Sequence, residues 1–300
     1  MIPRLEAVDA TRVAAMRGRM PRAFALSAPE RAVRLAIWGG LGALTLYCFV
    51  RFDFSPARFA DGAGQLGVVV REMFPPSMGE NPTAILWALL ETLAMAFIGT
   101  LLAALFALPL AFLAARNTFP FRLPRFGVRR FMDVLRGVDQ MIWALIFVRA
   151  VGLGPLAGIM AIFISDTGTL AKLFSESIEN VENKQIEGVR SAGAGAVQTL
   201  RFGVLPQVLP MFLSSALYMF ESNVRSATIL GIVGAGGIGF QLSDRIRAHQ
   251  WEETCFILIL ILVTVACIDW VSKRLRTRII GGALPRYRAA PGSAPDRAAV

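Results

Sequence analysis

Glu187-Gly-Val-Arg-Ser-Ala-Gly-Ala-Gly-Ala-Val-Gln-Thr-Leu-Arg-Phe-Gly-Val-Leu-Pro206 is the stretch on which the reading of this chain turns. It lies in a polar segment, residues 176–202, between two apolar runs. Ile186, Val189, Val197, Leu200 and Val204 recur mostly at three- to four-residue spacing, and small residues at 192 to 196 permit close backbone approach. The pattern predicts a short amphipathic helix, a compact bend and a second short helix ending at Pro206. On pattern alone it also describes an interfacial loop.

The rest of the chain supplies a membrane. Of 300 residues, 55% are hydrophobic and 17% charged, richer in apolar groups and poorer in charge than a soluble domain. Three of the 31 basic residues are Lys; the others are Arg, gathered mainly in three short blocks beside apolar runs. That arrangement sets topology and does not form a groove for nucleic acid. Cys48, Cys255 and Cys267 fall in apolar runs without Cys-x-x-Cys spacing, and His249 is the one imidazole, so neither a disulfide framework nor a metal site is expected. Leu35 to Val50 resembles a signal-peptide core, but 34 residues precede it and no small-residue cleavage pattern follows. It reads as a first span.

Roughly 20 apolar residues in a helix cross a ~30 Å hydrocarbon core. Runs that meet or approach this length are Leu35 to Val50, Ala84 to Ala115, Phe131 to Arg149, Leu153 to Phe174, Val204 to Phe240 and Trp251 to Val271. Residues 1–34 carry seven Arg against three acids, and the stretch from Lys273 carries seven basic residues against one acid. Both termini are therefore expected on the cytoplasmic side, with an even number of spans. Arg116 to Arg130, five Arg and no acid, is expected there too, and residues 51–83 outside.

Two six-span arrangements satisfy these constraints. In one, Phe131 to Phe174 is a hairpin turning at Gly152-Leu-Gly-Pro155, and Glu176 to Gly203 is cytoplasmic. In the other, Met141 to Ile164 crosses once, Val204 to Phe240 crosses twice, and Glu176 to Gly203 lies outside. The first is favoured because the second leaves Arg149 near the bilayer centre, at ~2.5 to 3.5 kcal/mol.

The order Glu187, Gly193 and Leu205-Pro206 resembles the cytoplasmic EAA loop of ABC importer permeases. The usual Glu-Ala-Ala is Glu187-Gly188-Val189 here, and Gly203 stands where Ile is common. Glu91-Thr-Leu-Ala-Met-Ala-Phe-Ile-Gly-Thr100, Gly152-Leu-Gly-Pro-Leu-Ala-Gly-Ile-Met-Ala161, Gly203-Val-Leu-Pro-Gln-Val-Leu-Pro210 and Phe220-Glu-Ser-Asn-Val-Arg-Ser-Ala-Thr-Ile-Leu-Gly-Ile-Val-Gly-Ala-Gly-Gly-Ile-Gly239 look like the phosphonate permease branch, the PhnE family.

The resemblance implies an all-α, polytopic fold of six transmembrane helices, like a type I ABC importer permease. Its parts are a cytoplasmic Arg-rich segment 1–34, a first span 35–50, a periplasmic segment 51–83, a permease core 84–275 with a coupling loop 176–203, and a disordered cytoplasmic tail 276–300. It also selects the first arrangement, since the EAA loop docks on a cytoplasmic ATPase. Glu187, Gly188, Gly193, Leu205 and Pro206 are the residues expected to couple to that ATPase. The chain has no Gly-x-x-x-x-Gly-Lys-Ser/Thr of its own, so ATP and Mg are expected on the partner and the chain itself is not expected to be an enzyme. Further expected partners are a second permease copy forming a homodimer, an ABC ATPase dimer, a periplasmic phosphonate-binding protein and membrane lipid, all at a bacterial inner membrane.

Gly234-Ala-Gly236-Gly237-Ile-Gly239 matches a dinucleotide fingerprint literally, but a spanning helix follows where a strand–turn–helix unit is needed. Glycines there are expected to end the helix begun near Val204 and to let backbones pack closely, with exposed amides able to meet an anion. Glu91, Asp139, Gln140, Asp166, Glu221, Asn223 and Arg225 sit in or near the spans, where ionisable groups carry functional weight. Glu91 is expected to mark the outer boundary. Glu221 and Arg225, four apart, suit a mutual salt bridge, as do Asp269 and Lys273. Arg225 is the first candidate for a phosphonate dianion, since guanidinium matches its oxygens bidentately; Glu221, Asn223, Asp166, Gly234, Gly236 and Gly237 complete the pathway candidates.

The expected function is import of phosphonate, or a related phosphate or phosphite anion, by alternating access. Rival readings are a permease for methionine or another small solute, an ion-coupled secondary transporter using Asp139 or Asp166, and a membrane enzyme; the enzyme is disfavoured by the lack of a His, Ser and Asp constellation or a metal-ligand cluster.

Overall fold

The computed structural model describes residues 28–52, 54–118 and 121–283. Among these, all regular structure is helical. The N-terminal segment up to residue 27 and the tail from 284 lie outside the described residues. The chain divides into two compact units, Met1–Val70 and Arg71–Val300.

In the first unit, α1 (Ala28–Arg51) exposes Leu35, Trp38, Leu41, Leu44, Tyr47 and Val50. A helix apolar around its circumference is one solvated by lipid. α2 (Pro56–Glu72) starts under Ser55, whose Oγ accepts the Arg58 amide at 3.2 Å, with Pro56 at the first helical position. This helix occupies the segment that the sequence reading leaves without an element.

The second unit holds α3 (Pro82–Ala114), α4 (Arg122–Gly137), α5 (Gln140–Val151), α6 (Pro155–Glu179), α7 (Asn183–Ser191), α8 (Ala196–Thr199), a π-helical turn (Leu200–Val204), α9 (Leu205–Leu230), a second π-helical turn (Gly231–Ala235), α10 (Gly237–Arg247) and α11 (Trp251–Ala283). Its spine is the close packing of α3 on α6. Ala88, Thr92, Ala96, Ala103, Ala107 and Ala111 bury one small-residue stripe of α3, and at Gly99 a Cβ would fall 2.6 Å from Ile162 Cγ2. Such stripes let helices approach where lipid removes any hydrophobic drive to associate. Phe174 of α6 stacks on Phe212 of α9 at 4.2 Å near one end, while Ile85, Ile238, Leu242 and Ile257 close the other.

Among the described residues, five helices are long and apolar enough to cross a bilayer: Arg31–Arg51, Pro82–Ala114, Pro155–Glu179, Ala196–Ala235 and Trp251–Ile279. The expected span Phe131 to Arg149 is not one helix. It breaks at Val138 and Asp139, both extended, where Asp139 caps α5 by accepting the Met141 amide at 2.8 Å. Trp143 Nε1 donates to the Leu135 carbonyl that the break exposes, at 3.3 Å. α4 and α5 nevertheless follow α6 along its length, since Arg129 bonds Glu179, the Met132 carbonyl abuts Gly168, and Ala144 packs with Ile162. A second correction concerns the tail: residues 276–283 continue α11, held where Arg276 reaches Glu221 at 2.7 Å.

Gly152 (φ 93°) and Gly154 (φ 136°) make the turn between α5 and α6 that the hairpin arrangement requires. The ends of α3 and α6 meet, because Glu179 Oε1 accepts the Arg116 amide at 2.8 Å and Asn117 donates to the Ile178 carbonyl at 3.3 Å. The Arg-rich loop and the Glu176 to Gly203 segment therefore share one side. The second arrangement, which separates them, does not occur.

Candidate functional site

The segment after α6 forms a bent pair of short helices. α7 ends at Ser191 and the chain turns at Gly193, whose φ of +85° is a conformation that costs an L-residue ~1–2 kcal/mol. α8 restarts at Gly195, whose amide is accepted by Gln198 Oε1 at 3.0 Å, and runs through the first π turn into α9 without interruption. Glu187 and Gly188 lie exposed on α7, and Gly188 and Gly193 line an open groove of 680 Å³ with Val189, Gln198 and Phe202. Pro206 is exposed in the first turn of α9, and Leu205 packs inward. Gly203 is buried, and a Cβ there would sit in ordinary van der Waals contact with Ile186 Cα at 3.5 Å and Val189 Cγ2 at 3.7 Å, so α7 packs directly against it.

Midway along the bundle, Asp166 and Asn223 come together as the centre of a buried polar cluster. Asn223 donates one amide hydrogen to Thr100 Oγ1 at 2.8 Å and the other to Asp166 Oδ2, while its Oδ1 accepts from Gln140 Nε2 at 3.4 Å. Asp166 and Asn223 are 4% and 2% exposed. The cluster ties α3, α5, α6 and α9 and satisfies every hydrogen-bonding group of the Asn223 side chain. Neither residue presents to a passing solute in this conformation.

Glu221 and Arg225 do pair, at 3.5 Å, but within a larger chain of charges. Arg225 also reaches Asp269 on α11 at 3.2 Å, and Arg276 holds Glu221 at 2.7 Å. Asp269 thus meets Arg225 rather than the expected Lys273. Arg225 is half exposed, so its guanidinium is both paired and accessible. Arg276 Nε is the one buried side-chain donor without a partner among the described residues.

At the opposite end from α7, the glycines form a close-packed knot. Gly234, Gly236 and Gly237 have φ of 100°, 80° and 69°, and they turn the chain from α9 into α10. The Gly154 amide donates to the Gly234 carbonyl at 3.1 Å, and the Ile238 amide to Thr92 Oγ1 at 2.8 Å. A Cβ at Gly239 would lie 1.8 Å from the Thr228 carbonyl oxygen, and one at Gly236 2.9 Å from Glu91 Oε1. Glu91 therefore stands against the knot. Sequence reasoning missed Thr92, Thr100 and Arg276; their partners lie 146, 123 and 55 residues away, beyond any local spacing rule.

Residues 107–281 match the family model described as the binding-protein-dependent transport system inner membrane component. The chain is 36% identical over 280 residues to a putative phosphite transport system permease protein of Stutzerimonas stutzeri, covering 93% of this chain and 95% of that one. It is 50% identical over 121 residues to a putative cryptic phosphonate transport system permease protein of Escherichia coli strain K12, covering 40% of this chain and 99% of that one. An inward-facing structure of the MetNI methionine ABC transporter superposes with a TM-score of 0.56 at 22% identity, over 67% of this chain and 99% of that one. At that identity the likeness speaks for the fold.

Proposed function

The chain belongs to the family of binding-protein-dependent transport system inner membrane components, and from that premise we propose that it is the permease subunit of an ATP-driven importer of phosphonate or a related phosphite or phosphate anion. The observation that carries the mechanism is continuity: the bent segment around Gly193 passes through α8 and the first π turn straight into α9. α9 in turn bears Asn223, Arg225 and, at its end, the glycine knot. A push on the exposed face of α7 and α8 is delivered to the one helix that carries Glu221, Asn223 and Arg225 and ends in the glycine knot.

In this reading ATP and Mg bind a separate ATPase dimer that docks on Glu187, Gly188, Gly193, Leu205 and Pro206, on the cytoplasmic side. A periplasmic binding protein delivers the anion to the glycine-knot end, and a second copy of the chain completes the pathway. Arg225, paired yet half exposed, is the residue suited to exchange a carboxylate for a passing oxyanion. The substrate class follows the relatives named for phosphite and phosphonate at 36% and 50% identity, whereas the methionine reading rests on relatives at 26% and 24% identity and a likeness of fold at 22%.

The test is ATPase activity of the assembled complex with its binding protein. Phosphite or methylphosphonate stimulates hydrolysis and methionine does not; stimulation by methionine alone overturns the substrate assignment. Arg225→Gln reduces stimulated turnover more than basal turnover, and an unchanged ratio removes Arg225 from the pathway.

A further inference from the structure

We propose that the cytoplasmic half of α4 is a binding surface for an anionic phospholipid, with arginines on the headgroup phosphate and an apolar stripe against the acyl chains. Between residues 116 and 136 the chain has six Arg and one acid, Asp133. Even with Glu179 of α6 drawn into the group through Arg129, four positive charges remain. On the outward side of α4, Leu123, Phe126, Arg130 and Val134 follow one another at spacings of three, four and four, so they share one helical face. Leu123 is 84% exposed, Phe126 57% and Val134 64%. Arg130 lies in the middle of this stripe with its guanidinium 5.1 Å from the Phe126 ring centre.

Depth identifies the occupant. Arg129 reaches Glu179, the last residue of α6, through its long side chain, and the Met132 carbonyl is level with Gly168. Gly168 lies about 16 Å short of the end of α6 and Met132 about 15 Å past the start of α4, so the start of α4 is level with the end of α6 and Met132 lies roughly half of the hydrocarbon core deeper. The first turns of α4, with Arg122 exposed, therefore stand at the headgroup layer, and the apolar stripe descends from it into the acyl region. Arg130 and Arg136 flank Asp133 at 3.2 and 2.9 Å, which holds their charge close to the helix as it enters the apolar layer. A free oxyanion has no use for the apolar stripe, and a zwitterionic lipid has none for the excess of arginine. An anionic phospholipid uses both. This inference goes beyond the transport reading and does not depend on the transported substrate.

The probe is a bimane on Leu123→Cys in the full chain, with Cys48, Cys255 and Cys267 replaced by serine, in nanodiscs and again in the assembled complex. Brominated phosphatidylglycerol is expected to quench at roughly fivefold lower mole fraction than brominated phosphatidylcholine for each arginine engaged. The double variant Arg122→Gln, Arg130→Gln brings the two lipids to parity, whereas Arg130→Lys keeps most of the preference and controls for folding. Inorganic phosphate leaves the quenching unchanged. Equal quenching in the unsubstituted helix overturns the proposal, as does a preference that survives the double Gln variant. Relief by inorganic phosphate assigns the arginines to a free anion. Protection from both bromolipids shows the stripe covered by protein, a second copy or the ATPase, and overturns it as well.

Discussion

Asn223 matters most at the scale of single residues, because its two amide hydrogens and its carbonyl oxygen are spent on three other helices. Asn223→Leu leaves the Asp166 carboxyl buried without its amide partner, at a cost of ~1–3 kcal/mol. The melting temperature of the purified chain is expected to fall, and the double variant Asp166→Leu, Asn223→Leu to recover much of the loss. A double variant as unstable as the single one would mean the pair is not the unit. The knot makes a sharper contrast. Gly239→Ala puts a methyl 1.8 Å from the Thr228 oxygen and is expected to abolish the monodisperse protein in detergent, while Gly64→Ala in α2, with nothing within 4 Å, is neutral. Asp166, Asn223, Gly234, Gly236 and Gly237 were legible as residues out of place in a span. That the first two are packed away was not, since burial depends on Thr100 and Gln140 arriving from other helices.

Among elements, the i,i+4 pair Glu221 and Arg225 was readable from spacing alone, and the structure extends it to Asp269 and Arg276 on α11. Glu221→Arg is expected to lower stability by placing three arginines around one acid, and adding Arg276→Glu to restore most of it; thermal unfolding of both proteins checks this. A swap that restores nothing would deny the contact between α9 and α11. Gly193→Ala, forced into φ +85°, is expected to leave the fold intact while lowering substrate-stimulated ATPase activity, because the bend it strains is on the proposed docking face. The apolar periodicity of residues 131–149 hid the break at Val138 and Asp139, although Gly137 followed by an Asp cap was the local signal for it. Hydropathy outweighed capping in the sequence reading. In the fold, the cap marks where an Arg-rich amphipathic helix hands over to a short apolar one.

For the whole molecule, charge counting led to the expectation of an even number of spans but could not choose between two arrangements, since Glu176 to Gly203 carries nearly balanced charge. The choice is made by Glu179, which binds the Arg116 amide and Arg129 and so brings the Arg-rich loop and the bent segment to one side. Local spacing contains no trace of a contact across 63 residues. A single cysteine at position 187 is expected to react with an impermeant maleimide in inside-out vesicles and not in intact spheroplasts; the reverse would place the segment outside. The most direct test of the account is uptake into proteoliposomes holding this chain with its ATPase, with ATP on the side of α7 and the binding protein with labelled phosphite or methylphosphonate on the other. Accumulation that requires ATP, the ATPase and the binding protein is the predicted result. Accumulation by the chain alone, driven by a proton or sodium gradient without ATP, would contradict it.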